Sequence, residues 1–195
     1  YNEAQIRAVA DVLVDAKYVR NLEITMNTEH AVKLIKTMSE EYGDRLLIGA
    51  GTILNMEDLK AATLAGARFV LSPTIMDDEM LKYCHDHKVL AIPGALTPSE
   101  IYQMHRKGAY AIKVFPANEM SFGYAKKVIE PLGNINLMAV GGVTCDNVQS
   151  YLKGGYTHIA SAGGIFKKED IISQNHDALK ASLKQFEEML ETVNS

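Results

Sequence analysis

Short apolar runs recur along the chain and alternate with longer segments of helical periodicity. The runs are rich in apolar and β-branched residues, which is typical of buried strands. They predict seven strands, at residues 22–26, 46–50, 69–72, 89–92, 110–115, 136–140 and 157–160. The segments between them predict amphipathic helices. Two apolar stripes illustrate this: Val32, Leu34, Ile35, Met38 and Tyr42 in one, and Leu179, Leu183, Phe186, Leu190 and Val193 in the other.

Residues that begin and end helices flank these segments. A first helix is expected from residue 2 to about residue 17. Three helix N-caps are expected, at Asn55, Thr97 and Thr144. Three left-handed glycines are expected where helices end, at Gly66, Gly108 and Gly154. The N-cap at Thr97 is also part of a capping box with Glu100, with proline at the first helical position.

The same three glycines open similar short sequences, so the chain repeats one structural unit. They lie 42 residues apart (108 minus 66) and then 46 residues apart (154 minus 108), and each interval holds two strand–helix pairs, a period of about 22 residues. Strands that alternate with helices, without hairpin signals, predict a parallel sheet. Seven strands and eight helices predict one (β/α)8 TIM barrel over residues 1–195 whose first strand is missing. The alternative is a doubly wound open sheet, but no Gly-x-Gly-x-x-Gly follows a strand.

The missing strand leads to an expectation about the N-terminus, where the first residue is Tyr1 and not methionine. A barrel without one strand has two unpaired edges and an open core, which is costly. We therefore expect about ten or more residues before Tyr1, including an apolar strand that pairs with the strands at residues 22–26 and 157–160.

Composition and charge narrow the classes of function. The 195 residues are 47% hydrophobic, and their net charge of −4 is spread along the chain without basic runs, so nucleic acid is not an expected partner. No apolar stretch reaches the length of about 20 residues that spans a bilayer, and the first residues have neither the charged start nor the apolar segment of a signal peptide. The two cysteines, Cys84 and Cys145, form no Cys-x-x-Cys pair. Free thiols and a cytoplasmic location are expected.

One lysine stands apart from the others. Lys113 interrupts an apolar strand, Ala111-Ile112-Lys113-Val114-Phe115. A lysine in such a strand either pairs with a carboxylate or has its pKa lowered by burial, and a neutral amine is a nucleophile toward carbonyl carbon. It could also extend outward to solvent, and position alone leaves these alternatives open.

Glu23 is the second candidate. The two-residue period of a strand places Leu22, Ile24 and Met26 on one face, and the other face carries Glu23, Thr25 and Asn27. If the apolar face packs against helices, Glu23 points into the barrel. There it can neutralise Lys113, act as a general acid/base, or do both.

Glycine-rich turns follow three strands. Gly141-Gly142 and Ser161-Ala162-Gly163-Gly164 follow the last two strands, whose loops in barrels often bind phosphate through backbone N–H groups. Gly51-Thr52 follows an earlier strand and adds a hydroxyl near the centre. The six histidines are scattered, mostly on helices, and His158 on a strand is expected in the core or on the outer face. No metal site is therefore expected.

Several of these segments, in this order, resemble the class I family of 2-keto-3-deoxy-6-phosphogluconate (KDPG) aldolase and 4-hydroxy-2-oxoglutarate aldolase. The matching segments are Leu22-Glu23-Ile24-Thr25-Met26-Asn27-Thr28, Ile48-Gly49-Ala50-Gly51-Thr52-Ile53-Leu54-Asn55, Ser72-Pro73, Ile92-Pro93-Gly94, Ile112-Lys113-Val114-Phe115-Pro116-Ala117 and Gly141-Gly142-Val143. The resemblance implies a (β/α)8 barrel, a homotrimer and no cofactor.

The resemblance also implies roles for individual residues. Lys113 matches the Schiff-base lysine and Glu23 the general acid/base. The residues that match substrate contacts are Thr52 at the pyruvyl carboxylate, Pro73 and Phe115 at the pyruvate pocket, and Gly141, Gly142, Ser161 and Gly163 at the phosphate.

The chain departs from the family pattern at two positions. Asn27 stands where an arginine is usual, and Val140 where a threonine is usual, so a cation and a hydroxyl near the substrate are lost. The expected function is the cleavage of a 6-phosphorylated 2-keto-3-deoxy acid to pyruvate and an aldehyde such as glyceraldehyde 3-phosphate. The alternatives are a phosphate-binding barrel isomerase or synthase without an imine, and a catalytically weak sugar-phosphate binder.

Overall fold

A computed structural model describes residues 1–161 and 163–192. Ala162 and Val193, both named in the sequence patterns above, lie outside the described residues. All seven predicted strands are present, with bounds that differ by at most two residues from the expectation. They are β1 Asn21–Thr25, β2 Leu47–Gly51, β3 Phe69–Leu71, β4 Leu90–Ile92, β5 Ile112–Val114, β6 Leu137–Val140 and β7 His158–Ala160.

Nine α-helices alternate with these strands in the described part of the chain. They are α1 Glu3–Leu13, α2 Ala31–Tyr42, α3 Met56–Leu64, α4 Asp78–Asp86, α5 Pro98–Arg106, α6 Tyr124–Leu132, α7 Val148–Lys153, α8 Lys168–Ile172 and α9 His176–Glu191. The expected count of eight was wrong because α8, a helix of five residues, is too short to show a period. The first helix also ends at Leu13, earlier than expected. A 3₁₀ helix, Ala117–Glu119, follows β5.

The strands are parallel and follow their order in the sequence. The ladders run β1-β2-β3-β4 and β5-β6-β7. Backbone hydrogen bonds also join the end of β4 to β5. The N–H of Lys113 donates to the carbonyl of Pro93 at 2.9 Å, and the N–H of Ala95 donates to the carbonyl of Lys113 at 3.0 Å. A doubly wound sheet reverses its strand order at a switch point, and this sheet does not. Among the described residues, β1 and β7 do not pair with each other.

Side chains that alternate along the strands divide the core in two. The larger cluster lies between the outer face of the sheet and the helices, and it contains Ile24 and Val114. A smaller cluster lies on the inner face and contains Phe69, Leu71, Ile92, Ala111 and Met138. Because Ile24 packs against the helices, its neighbours on β1 point inward. This confirms the predicted orientation of the Glu23 face.

The helix boundaries match the cap predictions in part. Asn55 and Thr97 cap α3 and α5 as expected, and Gly66 and Gly108 have left-handed φ angles of 103° and 87°. Thr144 is not an N-cap, because α7 begins later and its N-cap is Asn147. Gly154 has a φ of −78°. A Cβ there would lie 1.9 Å from the carbonyl oxygen of Phe122, so close approach of backbone explains this glycine.

Both cysteines are free thiols. No helix in the described part of the chain has the length and apolar character to cross a membrane.

Candidate active site

Lys113 lies in the middle of β5 with its side chain on the inner face of the sheet. It is only 7% exposed, which excludes an outward-pointing lysine. Its partners in register are Gly94 on the β4 side and Met138 on β6. Burial among these apolar neighbours lowers the pKa of the Lys113 amine, and attraction to Glu23 opposes that shift.

Glu23 lies on the inner face of β1, beside the small residues of β2. Gly49 is its partner in register, and a Cβ on Gly51 would lie 1.7 Å from a carboxylate oxygen of Glu23. Glycine at position 51 therefore leaves the space that the carboxylate occupies. Burial raises the pKa of the Glu23 carboxyl, and attraction to Lys113 opposes the rise.

Lys113 and Glu23 both lie on the inner face of the sheet, and the charge of each one shifts the pKa of the other. Burial favours the neutral form of each group, and the attraction between their charges favours the ionised forms. An amine and a carboxyl group under these two opposed influences can exchange a proton during a reaction. The arrangement therefore supplies a nucleophile and an acid/base within one largely apolar interior.

Phe115 connects the lysine to the first glycine turn. The Nζ atom of Lys113 lies 4.9 Å from the centre of the Phe115 ring. A Cβ on Gly141 would lie 3.4 Å from the same ring. The ring is 44% exposed, so it forms an accessible apolar wall between the amine and the turn after β6.

Pro73 lies on the other side of Lys113, next to Gly94. A Cβ on Gly94 would lie 2.5 Å from the backbone of Pro73, and Gly94 bridges to Lys113. The structure therefore brings Pro73, Lys113, Phe115 and Gly141 together across neighbouring strands.

Thr52 follows β2 with a left-handed φ of 57°. This conformation is strained for a β-branched residue, and strained backbone is frequent at active sites. β2 pairs with β1 in the register Gly51 to Thr25, so Thr52 lies at the same end of the sheet as Asn27.

Asn27 itself is exposed and lines a cleft of about 550 Å³ together with Thr28, His30 and Lys33. Neither Glu23 nor Lys113 lines this cleft. Asn27 therefore lines a different cleft from the inner-face positions of Lys113 and Glu23.

The glycine turns after β6 and β7 are joined by a serine. Gly141 and Gly142 have left-handed φ angles of 98° and 71°. The Ser161 hydroxyl donates to the carbonyl of Val143 at 2.7 Å and accepts the N–H of Gly164 at 3.2 Å. Ser161 thus ties the two turns together. Gly163 is exposed, with open space around the position of a Cβ.

Sequence reasoning did not identify Asn147, which contacts the first turn directly. Its Nδ2 donates to the carbonyl of Gly142 at 2.8 Å, and its Oδ1 accepts the N–H of Thr144 at 2.9 Å. The available signal was an asparagine near the start of a helix, but Thr144 offered a competing cap in the same segment.

His158 differs from its expected place. It occupies the inner-face register of β7 with Met138 and is half-buried, which lowers the pKa of its imidazole. Its Nδ1 lies 2.9 Å from the Thr157 hydroxyl. Within residues 1–161 and 163–192, no group of three or more histidine, cysteine, aspartate or glutamate side chains is arranged to hold a metal ion.

Comparison with known proteins places the chain in a family. The family model "KDPG and KHG aldolase" matches residues 1–182. A 2-dehydro-3-deoxy-phosphogluconate aldolase of Pseudomonas aeruginosa is 40% identical over 152 residues, which cover 77% of this chain and 67% of the relative. A 2-dehydro-3-deoxy-6-phosphogalactonate aldolase of Escherichia coli K12 is 27% identical over 190 residues, covering 96% of this chain and 89% of the relative.

A solved structure gives the same result at the level of fold. The KDPG aldolase of Legionella pneumophila, with pyruvate captured as a covalent carbinolamine, superposes with a TM-score of 0.80 at 25% identity. The match covers 93% of this chain and 87% of that structure. The described part of the chain thus has the parallel strands and alternating helices of a (β/α)8-type fold. The chain belongs to the KDPG and KHG aldolase family, and it is a carbon–carbon lyase.

Proposed function

We propose that the protein is a Schiff-base aldolase that cleaves a 2-keto-3-deoxy-6-phospho sugar acid to pyruvate and a phosphorylated aldehyde, with Lys113 as the nucleophile. The observation that carries the proposal is the buried Lys113 amine, whose pKa is lowered by burial and which is electrostatically coupled to Glu23. The covalent carbinolamine of pyruvate in the Legionella pneumophila relative supports this chemistry.

The first half of the reaction attaches the substrate to the enzyme. The neutral Lys113 amine attacks the C2 carbonyl and forms a carbinolamine. Glu23, in its protonated form, donates a proton to the leaving hydroxyl, and water departs to give the iminium ion. The raised pKa of Glu23 favours the protonated form that this step requires.

The second half breaks the carbon chain. Glu23, now a carboxylate, accepts the proton of the C4 hydroxyl, the C3–C4 bond breaks, and its electron pair moves into the iminium to give an enamine and the aldehyde. Protonation of the enamine at C3 and addition of water to C2 then release pyruvate and free the amine. Because the iminium is the electron sink, no metal or organic cofactor takes part.

The remaining candidate residues have binding roles in this proposal. Thr52 and Asn27 lie at the end of the sheet assigned to the pyruvyl carboxylate, and Pro73 and Phe115 are the walls of the pyruvate pocket. The turns that carry Gly141, Gly142, Ser161 and Gly163 bind the phosphate. The aldehyde product is of the glyceraldehyde 3-phosphate type.

Reductive trapping tests the nucleophile. Pyruvate with borohydride should add one adduct to the native protein, located at Lys113 by peptide mapping, and Lys113→Ala should abolish it. Lys36→Ala, at an exposed lysine on α2 near Glu40, is the control that should label normally. Absence of an adduct would favour an isomerase or synthase, or a weak sugar-phosphate binder, and an adduct on another lysine would contradict the assignment.

A further inference from the structure

One side chain, that of Asn147, forms hydrogen bonds with the backbone of the turn after β6. Asn147, the N-cap of α7, uses both ends of its amide there: Nδ2 donates to the carbonyl of Gly142 at 2.8 Å, and Oδ1 accepts the N–H of Thr144 at 2.9 Å. None of the catalytic steps above uses this side chain. Its side-chain hydrogen bonds with other described residues go to backbone groups of the turn.

This contact fixes the direction of a peptide group. A trans peptide is planar, so its carbonyl and its N–H point in opposite directions. The carbonyl of Gly142 points toward Asn147 at the start of α7. The N–H of Val143, which belongs to the same peptide, therefore points away from α7. Phe115, the wall beside Lys113, touches the neighbouring Gly141, which identifies the substrate side of the turn.

The turn needs such an anchor because its backbone is permissive. Gly141 and Gly142 are consecutive and have φ angles of 98° and 71°, and glycine reaches other conformations at little cost. The following carbonyl, that of Val143, is held by the Ser161 hydroxyl at 2.7 Å. Asn147 and Ser161 thus hold two successive carbonyls, those of Gly142 and Val143, in hydrogen bonds.

We propose that Asn147 is a positioning residue that holds the Gly142–Val143 peptide with its N–H toward the phosphate of the substrate. The inference rests on the proposed function, since it assigns the phosphate to this turn. Without the Asn147 amide, the peptide can rotate and present its carbonyl oxygen, which repels the phosphate and weakens its binding.

The test uses Asn147→Ser with a matched control. Serine is a good N-cap and keeps a short oxygen acceptor near the N–H of Thr144, but it lacks the amide that donates to Gly142. Asn136→Ser is the control, because the Nδ2 of Asn136 also donates to a backbone carbonyl, that of Tyr110 at 3.2 Å, at the other end of the barrel. Kinetics are measured with 2-keto-3-deoxy-6-phosphogluconate and with its unphosphorylated counterpart.

We expect Asn147→Ser to raise KM for the phosphorylated substrate about tenfold, the scale of one hydrogen bond to a charged group, with kcat nearly unchanged. KM for the unphosphorylated substrate should not change, and Asn136→Ser should leave both values at the native level. An equal loss with both substrates, a similar loss in Asn136→Ser, or a native enzyme that does not prefer the phosphorylated substrate would overturn the inference. Failure of pyruvate to trap on Lys113 in the native protein would overturn the proposed function instead.

Discussion

Two opposed influences, burial and mutual attraction, act on the ionisation of the Lys113 and Glu23 side chains. Burial lowers the pKa of the amine and raises that of the carboxyl, and in each case the partner charge opposes the shift. Burial therefore favours the neutral forms of both groups, which it does not do for a lysine or a glutamate at the surface. This is the property that imine formation requires.

The pH dependence of imine trapping should reveal the shift at Lys113. Below its pKa the amine is protonated and cannot attack the carbonyl, and above its pKa further alkali gives no gain. Because burial lowers this pKa below the ordinary lysine value of 10.5, the midpoint for labelling with pyruvate and borohydride should lie below 10.5. A midpoint at or above the ordinary value would contradict the assignment of a buried nucleophile.

Replacement of Glu23 should separate catalysis from folding. Glu23→Gln should keep the far-UV circular dichroism and lower turnover about 100-fold or more, the usual scale of general acid/base catalysis. It should also move the labelling midpoint of Lys113 further down, because the attraction that raises the Lys113 pKa is lost. Glu29→Gln, at an exposed glutamate after β1, serves as the control. Near-native turnover in Glu23→Gln would leave the carboxylate as a counter-ion only.

Asn27 bears on the choice of substrate. An asparagine amide offers neutral donors, whereas the guanidinium usual in the family offers two charge-assisted hydrogen bonds, a difference of about 1–2 kcal/mol. We expect the native protein to prefer phosphorylated substrates over 4-hydroxy-2-oxoglutarate, since the phosphate turns then supply the binding energy. Asn27→Arg should raise kcat/KM for the unphosphorylated substrate. Equal native values, or no gain from arginine, would show that another residue binds the carboxylate.

At the scale of elements, sequence periodicity predicted the repeated strands but missed some of the residues that begin and end helices. All seven strands were predicted because each buries a short apolar run against the helices. The cap at Thr144 was wrong because α7 begins at Val148, with Asn147 as its N-cap, and the N–H of Thr144 donates to the side chain of Asn147. The left-handed glycine is Gly155, with a φ of 99°, rather than Gly154. The first choice depends on a side chain three residues away, and the second on the close approach of the Phe122 carbonyl to Gly154.

The C-terminal helix holds the segment that enters β1. The Glu187 carboxylate on α9 accepts the N–H groups of Lys17, Tyr18 and Val19, at 3.2, 2.6 and 3.2 Å. These three consecutive donors lie just before the strand that carries Glu23. One carboxylate thereby connects the two ends of the described fold.

The stability of this contact can be measured. Glu187→Gln keeps an acceptor but loses the charge, so we expect the free energy of unfolding in urea to fall by about 1–2 kcal/mol. Glu188→Gln is the control, because Glu188 lies beside it on α9 and forms an exposed ion pair of 3.9 Å with Lys184. Equal stabilities of the two variants would show that the charge of Glu187 is not needed there.

At the scale of the molecule, the family resemblance implies a homotrimer. Three large apolar side chains, Leu54, Ile75 and Leu96, are 57%, 46% and 39% exposed. They follow β2, β3 and β4 in turn and so lie at one end of the sheet, where an apolar surface favours association. We expect sedimentation equilibrium to give three chains and Ile75→Lys to weaken the assembly. Leu64→Lys, at a position that is 84% exposed on α3, should not. A native monomer would contradict the expectation.

The parts of the candidate site that could be predicted are those in which a single residue stands out from its strand. A lysine in an apolar strand and a glutamate on the polar face of another strand are visible without coordinates, and the structure brings Lys113 and Glu23 together. Their pKa shifts depend on burial, and the tie between the turns at Ser161 depends on the geometry of two loops. Neither could be read from spacing, because both arise only when separate strands meet.

Phe115 touches both ends of the proposed substrate path: the Lys113 amine lies 4.9 Å from its ring centre, and Gly141 is in contact with its edge. The amine is carried by β5 and the turn follows β6, and these are adjacent strands of one hydrogen-bonded sheet, so the sheet sets the spacing between the two. On the proposed function, the carbonyl carbon is fixed at one point and the phosphorus at the other. The fold therefore selects substrates by the length of their carbon chain. A keto acid one methylene longer or shorter can react with the lysine or bind its phosphate at the turn, but it cannot do both without strain.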